Sequence, residues 1–289
     1  MLKDYFILVR PHQWVKNLLL FLPAFFALRM DEVEVLVSVS FGVIAFSLLA
    51  SSVYILNDYL DREQDAKHPT KKDRPLASGR IPRTGAFILM GSLAALGLLI
   101  FGLIDKYALY LVTGYVILNI LYSYRLKHIP IIDIFIIAIG FVIRVAVGAM
   151  MVSPHIELSM WIVLMTFLGA LFMALAKRRD DVLLAADGKQ VRKSIDGYNL
   201  EFINSAMMVM ASVLIVSYIS YTISPEVQSK FDSQNLYFTV FLVILGVLRY
   251  MQITFVEEKS GSPTKILLGD FFLQLTIAGW FITFVILIY

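Results

Sequence analysis

Apolar residues in this chain cluster into runs of about twenty, separated by shorter polar stretches that carry nearly all of the charge. An α-helix rises about 1.5 Å per residue, so a run of that length matches the roughly 30 Å hydrocarbon thickness of a bilayer. Nine spans are expected, at Trp14–Met30, Val35–Leu56, Thr84–Ile104, Tyr107–Tyr124, Ile131–Val152, Leu158–Ala176, Phe202–Ile223, Leu236–Ile253 and Ile266–Ile288. No soluble fold accounts for so many. The pattern predicts an all-α, polytopic integral membrane protein, built as a single transmembrane domain over residues 1–289.

Composition agrees, with 59% hydrophobic and 16% charged residues and a mean hydropathy of +0.77. Charge adds an orientation. Of 25 Lys and Arg, 20 fall in loops on the side of the N-terminus and three (Arg29, Lys106, Lys230) on the other, while Arg144 and Arg249 lie within spans. Basic loops stay cytoplasmic. The N-terminus and the two long polar loops, at about 57–83 and 177–201, are therefore expected on the cytoplasmic face of the inner (plasma) membrane. The first apolar run has no small-residue cleavage site before Met30 and reads as a retained span. Ahead of it, Leu2, Tyr5, Phe6 and Val9 alternate with charges and suit a helix lying along the membrane surface. A net charge of +3 is too slight to argue for nucleic acid; its clustering on one face fits anionic lipid head groups and anionic substrates. The chain has no cysteine, which removes disulfides, thiolate catalysis and cysteine-ligated zinc.

The densest chemistry lies in Asn57 to Gly79, where four aspartates, one glutamate and five Lys or Arg follow the second apolar run. If the helix continues past Leu56, Asn57, Asp61 and Asp65 recur at i, i+4 and i+8 on one face, with Asp58 about one position round. Like charges stacked this way repel by roughly 0.2–0.5 kcal/mol per pair, so cations are expected between them. Such oxygen ligands suit Mg²⁺, which commonly bridges a few carboxylates to substrate phosphates; the plainer alternative is a solvated, charge-laced helix end. Pro69 disfavours helix at His68, and Pro75, Gly79 and Pro82 punctuate a loop from which Lys71, Lys72 and Arg74 can fold back over a phosphate.

The second long loop again sets acids beside bases: Lys177, Arg178, Asp180, Asp181, Asp187 and Asp196. Two such clusters facing one another would form a central cavity open to the cytoplasmic side. Arg144 sits about fourteen residues into its span, too deep to snorkel easily, and calls for an anion or a ring of acceptors. Asp133 is on roughly the same face, and an interhelical ion pair is the alternative. Arg249, near a helix end, is expected to snorkel, and Asp270 to line the cavity or pair with a loop lysine. Before the first span, Lys16 and Asn17 follow Gln13 by one turn and could offer polar groups to a phosphate, while Trp14 reads as an interfacial anchor.

The Asn57-Asp58-x-x-Asp61-x-x-x-Asp65 pattern, at the end of the second of nine expected helices, resembles the first aspartate-rich motif of the UbiA superfamily of intramembrane prenyltransferases. The Arg74-Pro75-x-Ala77-Ser78-Gly79 tail strengthens the likeness, which spans essentially the whole chain. Members usually carry a second Asp-x-x-x-Asp motif after the sixth helix. Here Asp180, Asp181 and Asp187 lack that spacing, and Lys177-Arg178 precede them. The chain is similar instead to the decaprenyl-phosphate phosphoribosyltransferase branch, through Arg10-Pro11-x-Gln13-Trp14-x-Lys16-Asn17, His68-Pro69-x-Lys71, Tyr122-Ser123-x-x-Leu126-Lys127, Gly140-Phe141-x-Ile143-Arg144 and Lys177-Arg178.

That resemblance implies transfer of 5-phosphoribosyl from 5-phosphoribosyl 1-diphosphate to a polyprenyl phosphate, with release of diphosphate, in a cell-wall precursor pathway. It implies Mg²⁺ on Asp58, Asp61 and Asp65, with Asn57 orienting the donor. Asp61 and Asp65 would act in catalysis, with Asp180 or Asp181 stabilising positive charge on the ribose. Lys16, Asn17, Lys71, Arg74, Tyr122, Lys127, Arg144 and Lys177 are the candidates for holding substrate. A prenyltransferase acting on an aromatic or quinone-precursor acceptor shares fold, metal and cavity. A transporter would need polar residues along the full depth of the bundle, whereas here they concentrate at one face. Self-association stays open, because apolar surfaces facing lipid and facing a subunit look alike.

Overall fold

The structure is a computed structural model that describes residues 2–67, 71–186 and 193–288. His68, Pro69 and Asp187 lie outside the described residues. Every regular element among the described residues is helical. The chain divides into two compact units, Met1–Ile162 with Lys189–Ser194, and Val163–Gly188 with Ile195–Tyr289.

The first unit holds α1 (Leu2–Val9), a 3-10 helix (Pro11–Phe21), α2 (Leu22–Phe26), α3 (Val33–Asp65), α4 (Arg83–Ile104), α5 (Lys106–Tyr124) and α6 (Ile132–Met150). Helix α7 (Met160–Ala186) begins there and runs into the second unit, followed by α8 (Leu200–Ile223), α9 (Pro225–Phe231), α10 (Phe238–Phe255), α11 (Pro263–Gly269) and α12 (Phe271–Ile288). Eight helices among the described residues are long and apolar enough to cross a membrane: α3 to α8, α10 and α12.

The expected first span, Trp14–Met30, is not one of the eight. It folds as eleven residues of 3-10 helix and five of α-helix, and the longer 3-10 rise of about 2 Å per residue makes that pair roughly 30 Å long. The last expected span is also interrupted. Asp270 breaks it, and its Oδ1 accepts from the Leu273 amide at 2.8 Å, an N-terminal cap for α12. Two other helices outrun their apolar cores. α3 has 33 residues, about 50 Å of helix, and so carries Asn57 to Asp65 beyond the hydrocarbon. α7 likewise extends through Lys177–Asp181 to Ala186, because that stretch offers Leu, Ala, Lys and Arg and no Gly or Pro.

Packing in the first unit centres on α3. Phe46, Leu49, Val112, Tyr115, Val147 and Leu20 form one buried cluster, with the Phe46 and Tyr115 rings 4.7 Å apart. A smaller cluster of Leu8, Ile55, Leu76, Ile81 and Ala86 joins α1 and the 75–82 turn to the ends of α3 and α4. The 3-10 helix presses so closely on α6 that a Cβ at Gly148 would lie 2.1 Å from the Leu20 carbonyl oxygen.

The second unit has its own polar staples. Trp280 Nε1 donates to the Tyr218 hydroxyl at 2.6 Å, which bonds Thr239 Oγ1 at 2.7 Å, tying α12, α8 and α10. The buried Arg179 donates to the Thr254 carbonyl at 2.8 Å and to Asn204 Oδ1 at 3.2 Å.

Backbone cannot yield as a side chain can, so Gly148→Ala is expected to cost about 1–3 kcal/mol, read as a lower thermal midpoint of the purified protein. Gly91→Ala, where a Cβ meets nothing within 4 Å, serves as the control and is expected to leave the midpoint unchanged or slightly higher.

Candidate active site

Three carboxylates project from the last turns of α3, and each is met by a cation brought from elsewhere in the first unit. Asp58, 3% exposed, accepts from Arg10, forty-eight residues earlier, and from Arg74 Nη1 at 2.9 Å. The same Arg74 nitrogen lies 2.7 Å from Asp65 Oδ2 and so bridges two aspartates seven residues apart. Asp61, on the turn between them, accepts from Lys127 Nζ, sixty-six residues away. Asn57 Nδ2 donates to Asp61 Oδ2 at 3.2 Å, while Asn57 Oδ1 is buried with no hydrogen-bond partner.

Local structure explains how these cations are held. Arg74 opens a tight turn in which its carbonyl accepts from both the amide (2.9 Å) and the hydroxyl (2.8 Å) of Ser78. Gly79 supplies the positive φ of 73° that the reversal requires. Pro75 and Leu76 are buried, so the Arg74-Pro75-x-Ala77-Ser78-Gly79 motif is a rigid mount for one guanidinium. Arg10 sits where α1 ends and the 3-10 helix begins, in a left-handed conformation (φ 57°) that costs a non-glycine residue about 1 kcal/mol. Its guanidinium also lies 5.4 Å from the centre of the Tyr54 ring. Lys127 is buried in the short 3-10 turn after α5.

Deeper in the unit lies charge of the opposite balance. Arg144, 5% exposed, is surrounded by neutral acceptors: Asn17 Oδ1 (2.9 Å), the Gly140 carbonyl (2.7 Å) and the Tyr115 hydroxyl (3.1 Å). The rings of Phe46, Tyr115 and Phe141 stand 5.0–5.2 Å from its guanidinium. Of the two environments open to this residue from sequence, the ring of acceptors is the one observed. Lys16 is within electrostatic reach of Arg144 and Arg10. Among the described residues neither Lys16 nor Arg144 has a carboxylate partner.

Asn17, a candidate from sequence for holding substrate, lies beside Arg144. Buried at 1% exposure, it spends both polar atoms internally, accepting from Arg144 and donating to Ser47 Oγ at 2.8 Å. It positions Arg144. Trp14 does more than anchor at the interface, since its Nε1 donates to Ser51 Oγ at 3.0 Å, and Ser51 in turn caps the Val9 carbonyl. Lys71 opens the 71–74 turn and Tyr122 lies in the last turn of α5. Arg10, Ser47 and Tyr115 were not singled out from sequence as site residues. Arg10 lay within a quoted motif, whereas Ser47 and Tyr115 are ordinary polar residues of apolar spans until the fold brings Asn17 and Arg144 to them.

Lys177, Asp180 and Asp181 belong to the second unit, on α7. Asp181 is paired with Arg178 at 2.5 Å, and Asp180 packs so closely on Gly261 that a Cβ there would meet its carboxylate at 2.4 Å. Arg249 and Asp270 depart from expectation. Arg249 makes a two-pronged pair with Asp270 (2.6 and 3.3 Å) and also meets Glu257 at 2.8 Å. It therefore does not simply snorkel, and Asp270 pairs with a span arginine rather than a loop lysine, because the break before α12 turns its carboxylate toward α10.

Among the described residues no cluster of three His, Cys, Asp or Glu side chains converges on one point; the cations stand between the α3 carboxylates. The oxygens themselves fit a hard divalent cation: carboxylates on one helix face, and an orphaned amide oxygen beside Asp61.

Comparison with known proteins bears on what this site serves. The profile of the UbiA prenyltransferase family matches residues 17–276. The decaprenyl-phosphate phosphoribosyltransferase of Mycolicibacterium smegmatis is 32% identical over 283 residues, covering 94% of this chain and 88% of the relative. The protein of the same name from Mycobacterium tuberculosis H37Rv is 31% identical over 282 residues, covering 95% and 91%. Among solved structures, a UbiA homolog from Archaeoglobus fulgidus bound to GPP and Mg2+ superposes with a TM-score of 0.73 at 20% identity, over 96% of this chain and 98% of that one.

If Asn17 is the clasp that holds Arg144, Asn17→Ala leaves a buried guanidinium nitrogen without its acceptor and is expected to cost about 1–3 kcal/mol. Ser47→Ala, which removes only the outer bond, is expected to cost about 1 kcal/mol or less. Thermal midpoints of the two purified variants check that order.

Proposed function

Because the chain belongs to the UbiA prenyltransferase family, we propose that it transfers 5-phosphoribosyl from 5-phosphoribosyl 1-diphosphate to a polyprenyl phosphate of the decaprenyl type, releasing diphosphate in a Mg²⁺-dependent reaction. The observation that carries this reading is the pair of relatives named decaprenyl-phosphate phosphoribosyltransferase, aligned over nearly the whole of each chain. The side chains supply parts suited to it. Two anionic substrates must be bound, and the first unit offers cations of two kinds: those paired with the α3 carboxylates, and Lys16 with Arg144, which have no carboxylate partner among the described residues.

In this reading an oxygen of the lipid phosphate attacks C1 of the ribose, the bond from C1 to the diphosphate oxygen breaks, and diphosphate leaves with the electron pair. The attacking phosphate is already anionic at neutral pH, so no strong base is needed. Positioning and charge stabilisation become the main contributions. Asp58, Asp61, Asp65 and the Asn57 amide oxygen would hold the metal, which when bound neutralises the leaving diphosphate. Arg74, Lys127 and Lys71 would contact the diphosphate, and Lys16 the lipid phosphate, with Arg144 beneath it and Tyr122 adding a hydroxyl. Asp180 and Asp181 are the carboxylates assigned to positive charge developing on the ribose, and Lys177 is assigned to phosphate. The protein is a multi-pass membrane protein, and its basic loops support an N-terminus on the cytoplasmic face of the plasma membrane, where a soluble sugar diphosphate would be at hand.

Purified protein given polyprenyl phosphate, Mg²⁺ and radiolabelled phosphoribosyl diphosphate is expected to move label into the lipid phase. A chelator or Asp61→Asn is expected to lower the rate at least about a hundredfold. Folded protein that labels no lipid phosphate, yet alkylates an aromatic acceptor from a prenyl diphosphate, would replace this reading with its nearest alternative.

A further inference from the structure

Among the described residues, Asp58, Asp61 and Asp65 are each paired with at least one of Arg10, Arg74 and Lys127, and that pairing limits what can bind there. A divalent cation added to Asp58, Asp61 and Asp65 with Arg10, Arg74 and Lys127 still in place would leave excess positive charge in a largely buried site. The geometry makes the competition direct for Arg74: its Nη1 stands 2.9 Å from Asp58 and 2.7 Å from Asp65, so a metal held by those carboxylates would have to displace it. Lys127 Nζ holds the Asp61 oxygen in the same manner. An incoming diphosphate changes the sum, since it offers each displaced cation a new anionic partner while its charge compensates the metal.

We infer that Arg10, Arg74 and Lys127 are exchangeable counter-ions of the α3 carboxylates, which pass to the diphosphate when a metal takes their place. The inference rests on the metal assignment proposed above. It makes metal and diphosphate binding reciprocal: each is weak alone and strong with the other. Backbone anchoring suits such an exchange. Arg74 hangs from a turn fixed by Ser78, Pro75 and Leu76, so a side-chain rotation suffices. Arg10 keeps the Tyr54 ring as a second resting place.

A rigid structural arginine and an exchangeable one respond oppositely to neutralisation. Binding of Mn²⁺ alone, followed by the electron paramagnetic resonance signal of the free ion, is expected to tighten at least about fivefold in Arg74→Gln. Binding of Mn²⁺ premixed with inorganic diphosphate, followed by calorimetry, is expected to weaken by a similar factor, whereas Arg74→Lys stays near the original protein in both. Lys127→Gln carries the same test at Asp61 if Arg74→Gln fails to fold. Mn²⁺ that binds the original protein but binds unchanged or more weakly in both neutral variants overturns the exchange alone. No Mn²⁺ binding by any form, with or without diphosphate, overturns the metal assignment and the exchange with it.

Discussion

Mutual repulsion of Asp58, Asp61 and Asp65 on one face of α3 is the constraint around which the first unit is built. A helix cannot carry such a stack, two of its members nearly buried, without positive charge drawn from elsewhere. The chain supplies it from three directions: Arg10 from the start of the 3-10 helix, Arg74 from the turn after α3, and Lys127 from the turn after α5. Each contact fixes a segment. The strained backbone at Arg10, the Ser78-braced turn at Arg74 and the burial of Lys127 all follow from the need to deliver a cation to one helix end.

A second constraint has the opposite sign. Arg144 lies on a membrane helix with no carboxylate partner among the described residues, and the surrounding structure answers with dipoles and aromatic faces instead. Asn17, Tyr115 and the Gly140 carbonyl satisfy its nitrogens, and to bring Asn17 there the 3-10 helix must lie hard against α6 at Gly148. Neutral acceptors hold a guanidinium in place without cancelling its field. The field remains available to an anion, which is the physical ground for proposing Lys16 and Arg144 as phosphate ligands.

Much of this was legible in the sequence, for physical reasons that also mark where legibility stopped. The i, i+4, i+8 spacing of Asn57, Asp61 and Asp65 requires one helix face, and α3 does extend to Asp65. Arg144 was readable as a charge in need of acceptors because a membrane span exposes no water to it. The partners were not readable. Arg10 is 48 residues from Asp58, and Lys127 is 66 from Asp61, and no periodicity links positions that only tertiary packing brings together. The same limit explains Asp270, which local sequence gave no reason to pair with Arg249, and Asn17, whose position beside Lys16 and Gln13 suggested a phosphate and gave no sign of Arg144 or Ser47. The 3-10 course of Pro11–Phe21 escaped for another reason: apolar length alone does not distinguish a 3-10 rise from an α rise.

The proposed chemistry assigns the nucleophile to the lipid phosphate and the departing diphosphate to the sugar, and oxygen labelling tests that assignment directly. Polyprenyl phosphate carrying ¹⁸O in its non-bridging oxygens would be turned over with unlabelled phosphoribosyl diphosphate, and both products weighed by mass spectrometry. The account predicts a phosphoribosyl lipid that keeps every labelled oxygen, with unlabelled diphosphate released in equal amount. Label in the diphosphate, or a lipid product that has lost a labelled oxygen, would contradict it.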